Sequence, residues 1–357
     1  MIVWDTKTGT NVHSFHGHLG ATLSVDWSPD DKHLVSGGPV DATARVWDVR
    51  ADVETMPAEG TAHEDMWIRW NLDGSRILYS LENGWQMITP EGEEKQYLDL
   101  PNLNNVHLSL SPDARLAAIQ HSSTGAEYQL TFVDANSGEE RFTDVALNDV
   151  WRQLAWCPDS KWLAVADMEN QVEVWNTRTW EKHVVSDLQG KSRSVSFSPD
   201  GSQLAIGLAD GRVVLSNVGD WKHTGVLRGH QNVGVISWSQ DGSKLAAGGY
   251  LGDPNVWDVV SGSEICTLPG HAGVVSSITW HPDGSRIATG SGDGTVRVWD
   301  ATTGDELLVF SEGGRHGVEV AWSPDGMAIA SRSSRGVSIR DASPGYSALK
   351  GHEFALD

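Results

Sequence analysis

From Val274 to Gly304 the chain alternates short apolar, β-branched runs with clusters of Gly, Asp and Pro. Such a pattern reads as strands cut by tight turns. Val274 to Trp280 is a first strand. His281-Pro282-Asp283-Gly284 is a turn, because Pro presets φ and Asp and Gly tolerate the tight positions. Arg286 to Gly290 is a second strand, Gly292-Asp293-Gly294 a second turn, and Thr295 to Trp299 a third strand. Asp300 to Gly304 turns the chain again before a fourth strand, Glu306 to Phe310. The predicted unit is a four-stranded antiparallel meander of roughly forty residues.

The rest of the chain repeats this unit with varying fidelity. The residues that close the first strands are Trp27, Trp70, Leu110, Trp156, Phe197, Trp238, Trp280 and Trp322, spaced by 43, 40, 46, 41, 41, 42 and 42. Each stands before a turn with an Asp, from Ser28-Pro29-Asp30 to Ser323-Pro324-Asp325-Gly326. A meander cannot bury both faces alone, but sheets stacked in series bury each other. Eight first strands predict eight sheets. Residues 2 to 15 read as a third and a fourth strand with no first or second before them. Val337 to Arg340 reads as a last third strand, and Tyr346 to Leu349 as a fourth. Two readings of these ends follow: a segment of a longer array, or a closed ring whose N-terminal strands latch the last sheet and hide its edge.

Gly270-His271 before the unit and Trp299-Asp300 at its end resemble the Gly-His and Trp-Asp signature of the WD40 repeat. The resemblance implies an all-β WD40 β-propeller of eight blades, each of four antiparallel strands. A seven-bladed ring with an extra or partial blade is the alternative. One domain would span 1–357, with repeats near 17–62, 63–101, 102–146, 147–188, 189–228, 229–269, 270–312 and 313–350, and a partial repeat at 1–16. Repeats two and three are degenerate. Met87-Ile88-Thr89-Pro90 and Phe132-Val133-Asp134 stand where Trp-Asp should, and a longer second-to-third connection is expected around His121 to Glu127. The array is similar to bacterial WD40 propellers, such as those within multidomain sensor and regulatory proteins.

The repeat accounts for most of the 17 Trp: six close first strands, and Trp4, Trp47, Trp175, Trp257 and Trp299 sit in third strands. The net charge of −22 has the same origin in part, since turn Asp residues and Asp5, Asp48, Asp134, Asp258, Asp300 and Asp341 recur with the unit. A polyanionic surface disfavours nucleic acid and favours basic partners. The two cysteines, Cys157 and Cys266, read as unpaired thiols of a reducing compartment. Met1 to Gly9 runs straight into Val3-Trp4-Asp5 without a signal-peptide pattern, and no apolar run suggests a membrane span. A cytoplasmic protein is expected. The 14 His are scattered without metal-ligand spacing, and Gly290 to Gly294 leads into strand, not helix, so no metal and no cofactor is expected.

In WD40 propellers the Gly-His histidine, a second-strand hydroxyl, the Asp of the second-to-third turn and the third-strand Trp form a buried hydrogen-bonded set. Here His271, Thr289, Asp293 and Trp299 match, as do His18, Ser36, Asp41 and Trp47. A His beside an Asp and a hydroxyl matches a catalytic triad in kind. Recurrence at repeat spacing instead points to scaffold, so no catalytic residue is assigned. The rim of fourth-to-first and second-to-third connections is where the resemblance implies partner binding. Two acid-plus-aromatic clusters map there: Asp65, Met66 and Trp67 in repeat two, and Asp149, Trp151 and Arg152 in repeat four. Repeat eight adds Arg315, His316, Arg332 and Arg335, a group suited to carboxylate or phosphate. The function expected is a non-catalytic scaffold for a protein or peptide, or for other domains of the same polypeptide. The alternative is the C-terminal sensing propeller of a larger NTPase, protease or kinase protein; a propeller-fold enzyme ranks below both.

Overall fold

The computed structural model is built from strands and turns, with no helix among the described residues. Those residues are 2–5, 10–14, 24–30, 32–38, 43–48, 53–59, 68–70, 77–81, 84–89, 95–98, 104–113, 115–122, 128–135, 137, 139–147, 153–166, 171–229, 232–250, 252–312, 318–322, 326, 328–333 and 336–341. Eight antiparallel sheets follow one another along the chain. Their first strands are Ser24–Trp27, Ile68–Trp70, Asn104–Leu110, Leu154–Trp156, Ser192–Phe197, Val233–Trp238, Val275–Trp280 and Glu319–Trp322, and each closes on one of the eight anchors. Among the described residues, seven sheets have four strands paired in chain order and the eighth has three, ending with Gly336–Asp341; the expected strand at Tyr346 to Leu349 lies outside them. Ile2–Asp5 and Thr10–Ser14 pair as a hairpin, and Ile2–Asp5 lies beside Gly336–Asp341. Ser24–Trp27 of the first sheet lies beside Ala328–Ser333 of the eighth. The two ends of the series therefore meet, with the hairpin beside the last described strand of the eighth sheet.

Second strands are buried on both faces, which is why they are short, continuous runs of small and branched residues. In the seventh sheet Ile287, Ala288, Thr289, Gly290 and Ser291 are all buried, and in the fifth Leu204 to Leu208 are. Burial comes from the neighbouring sheets. Ala246 and Val256 of the sixth sheet pack with Ile278, Ile287 and Trp299 of the seventh. Ala288, Val296 and Val298 of the seventh pack with Val318, Val320 and Trp322 of the eighth. Gly290 marks the close approach: a Cβ there would lie 2.1 Å from the Val318 carbonyl oxygen.

Two expectations are corrected. His121 and Ser122 belong to the strand Leu116–Ser122, so the expected longer connection narrows to residues 123–127, which lie outside the described residues. Arg332 lies within Ala328–Ser333, with Glu319 and Val337 as its cross-strand partners, and not in a loop. In both cases the ladder continues past the point where the apolar run stops, because its backbone pairs remain available.

Candidate functional site: a closed histidine network and the rim above it

In the seventh sheet His271 enters just before the first strand and reaches the second-strand hydroxyl and the second-to-third turn together. Its Nδ1 lies 2.9 Å from Asp293 Oδ2 and its Nε2 2.7 Å from Thr289 Oγ1. Trp299 Nε1–H donates to the same Thr289 oxygen at 2.8 Å. The imidazole meets the Trp299 ring edge-on at 6.0 Å. Asp293 also accepts from Ala272 N–H, Thr295 N–H and the Thr295 hydroxyl. Burial pushes the Asp293 carboxyl up, but the hydrogen bonds from Thr295, His271 and Ala272 outweigh it and hold it well below the usual carboxylate range. Burial of His271 lowers its pKa, and the Asp293 hydrogen bond only partly offsets this. Every ring nitrogen and hydroxyl of the set is committed to another member. In the first sheet Trp47 Nε1–H donates to Ser36 Oγ at 2.8 Å; His18 and Asp41 lie outside the described residues.

On the rim where first strands begin and second strands end, Arg193 and Tyr250 come together across the fifth and sixth sheets. The guanidinium carbon lies 5.9 Å from the Tyr250 ring centre. Tyr250 is among the most exposed large apolar side chains, and Arg193 Nε is buried without a partner.

The model for "WD domain, G-beta repeat" matches residues 9–48 and 262–300, and that for "Anaphase-promoting complex subunit 4 WD40 domain" matches 154–241. The structure of Chaetomium thermophilum Sqt1, bound to the N-terminus of ribosomal protein L10, aligns with 93% of this chain and 99% of its own at TM-score 0.70 and 18% identity. The fold is a WD40 β-propeller. A computationally designed protein, Ika8, matches the propeller equally well, at TM-score 0.70 and 17% identity over 93% of this chain and 99% of its own. Among curated relatives, eukaryotic translation initiation factor 3 subunit I of Botryotinia fuckeliana is 24% identical over 209 residues, 54% of this chain and 61% of that protein. WD repeat-containing protein 1 of Rattus norvegicus is 37% identical over 62 residues, 16% of this chain. The propeller thus spans less than two thirds of the first relative and 10% of the second.

On the opposite rim of the propeller the turn acids are tied locally. Ser28, Ser111, Ser198 and Ser239 hydroxyls donate to Asp30, Asp113, Asp200 and Asp241 at 2.6–2.7 Å. The serine bonds lower the Asp30 and Asp241 carboxyls to about 2. Where Cys157 replaces the serine, burial pushes its thiol up to about 12, and Cys266 rises to about 11 for the same reason. Both are free cysteines and poor nucleophiles. No cluster of three metal-ligating side chains occurs among the described residues, and no described helix is long and apolar enough to cross a membrane.

Of the predicted partner-binding residues, Asp65, Met66, Trp67, Asp149, Trp151, Arg152, Arg315, His316 and Arg335 lie outside the described residues. Arg332 is placed by its backbone as given above. Arg193 and Tyr250 were not singled out from sequence. The signal was present in the blade alignment, where Arg193 falls on the position held by Gly234 and Ser276 in the next two blades.

Proposed function

We propose that this propeller is a non-catalytic interaction scaffold that captures a protein or peptide on the rim of fourth-to-first and second-to-third connections. The observation that carries the reading is the closure of the His271–Thr289–Asp293–Trp299 chain. This constellation, which has the ingredients of acid–base chemistry, spends each polar atom on its neighbours and so offers no free base of its own to a substrate. What the blades offer outward is a rigid surface. The net charge of −22 supports partners of opposite charge. Sqt1, which shares the fold, holds the N-terminus of a ribosomal protein in its crystal structure. Two free thiols, Cys157 buried and Cys266 half-buried, fit a cytoplasmic setting, and the proposal extends to kinship with the propellers of bacterial multidomain regulators.

The test is affinity capture from cell extract with the full chain and with a Trp67→Ala/Trp151→Ala variant. Exposed aromatic anchors dominate such interfaces, so the variant is expected to lose specifically captured proteins while keeping its melting temperature. Equal capture by both moves the interface away from repeats two and four. A chain that captures nothing specific counts against the scaffold reading itself.

A further inference from the structure

Arg193 sits at an irregularity that recurs around the propeller. The pairing of first and second strands shifts between Ser192 and Ser194, between Val233 and Val235, and between Val275 and Ser277. A bulge leaves its extra residue out of the ladder and re-aims its side chain. The three residues so released are Arg193, Gly234 and Ser276. Ser276 turns inward and donates to the Val318 carbonyl at 2.9 Å. Gly234 presents no side chain, and that vacancy is used: a Cβ there would stand 3.3 Å from Tyr250 Cε2. The Tyr250 ring therefore lies over Gly234, 54% exposed, with the Arg193 guanidinium across it.

Among the described residues the guanidinium has no partner beyond the Tyr250 ring. In a chain of 48 acidic against 26 basic side chains, no carboxylate among the described residues pairs with it. Its Nε–H is buried and unbonded. Next to Tyr250, Asn232 holds a left-handed backbone with φ 70 and its carbonyl accepts from Tyr250 N–H, while its Oδ1 is buried and unbonded. Native proteins rarely leave such groups unsatisfied, and those left so call for an explanation. Neighbouring Arg212 shows the usual outcome: it pairs with Asp210 and donates to the Leu188 and Gln189 carbonyls.

We propose that Arg193 and Tyr250 form a binding site for a peptide segment that carries a single carboxylate among uncharged or basic residues. The inference rests on the scaffold reading and names the chemistry of one contact. The carboxylate meets the Nη end of Arg193, where charge-assisted bonds are strongest. The apolar part of the segment lies on the Tyr250 ring, and Arg and Tyr are among the side chains that anchor interfaces. One carboxylate is enough, because the overall charge repels a run of acids, and it equally opposes a nucleic-acid backbone.

The test is a displayed library of random twelve-residue peptides selected on the full chain. Recovered peptides are expected to share one Asp or Glu. Changing it to Asn or Gln should weaken binding about ten-fold or more, and so should Arg193→Gln in the protein. Combining the two changes should cost little beyond either, as for groups in direct contact. Tyr250→Ala, an exposed position, should also weaken binding without moving the melting temperature. Peptides that lack a carboxylate, or that bind Arg193→Gln as tightly as the wild type, overturn the site and leave the scaffold role standing. A chain that captures proteins from extract but selects no peptide overturns the site alone. A chain that does neither overturns both.

Discussion

The order of protons along the histidine network is fixed by its two ends. Trp299 Nε1 can only donate, and an ionised Asp293 can only accept. Thr289 Oγ1 accepts from the indole N–H and its hydroxyl donates to His271 Nε2, so Nδ1–H of a neutral imidazole must face Asp293. A second proton, on Nε2, would confront the Thr289 hydroxyl hydrogen, which acts in the same direction as the burial that lowers the His271 pKa. In an unfolded chain a histidine titrates at about 6.5. As pH falls through that value the unfolded state takes up a proton that folded His271 refuses, so stability declines with falling pH. Asp293, held low in the folded state, adds stability that is present above about pH 4 and lost below it. Urea unfolding of the wild type against His271→Asn should show both declines, with the upper one reduced in the variant. Asp293→Ala strips His271 Nδ1–H and Ala272 N–H of their acceptor and should cost about 1–3 kcal/mol at neutral pH. An unchanged unfolding midpoint for that variant would remove the network from the list of what holds the blade.

At the scale of the strand, the second-strand position held by Thr289 decides whether a blade can close its network. Ser36 holds it in the first blade and Trp47 is satisfied. Ala247 holds it in the sixth, and the buried Trp257 Nε1–H has no acceptor; Val165 holds it in the fourth, and Trp175 Nε1–H is likewise unpaired. Ala247→Ser supplies the missing oxygen at the smallest possible change in volume. It should stabilise the protein by about 1 kcal/mol, read as a higher urea midpoint with an unchanged slope. No gain would mean that the added hydroxyl cannot turn toward the indole. This strand position also shows what the chain made legible. The eight anchors and the turns follow from period-two alternation and turn chemistry, which are local and written into neighbouring residues, and the members of the network follow from the resemblance to the WD40 repeat. Arg193 was not legible in that way. Within Ser192–Phe197 it reads as any outward strand residue, and only the bulge, a property of the pairing between strands, sets it free. Arg332 was misplaced for a related reason: its strand continues because Val337 and Glu319 lie across from it, not because of its own side chain.

For the whole molecule, charge is distributed by the same repeat that distributes structure. Carboxylates are ionised at neutral pH, and serine hydroxyls lower the Asp30 and Asp241 carboxyls further, to about 2. They crowd one rim, while the proposed peptide site, with its unpaired guanidinium, stands on the other. A partner bearing net positive charge is therefore drawn in by the field of the whole propeller and oriented by a local contact of opposite sign. The two effects separate with salt. Long-range attraction is screened beyond a Debye length of about 10 Å at about 0.1 M salt, whereas a partly desolvated contact is screened much less. Stopped-flow association of a captured basic partner should slow by about ten-fold between roughly 50 and 500 mM NaCl, while its dissociation rate changes little. Arg193→Gln should do the reverse, raising the dissociation rate and leaving the salt dependence of association intact. Association that quickens with salt would instead identify an acidic partner, and would show that the charge of −22 opposes the encounter that the local site has to win.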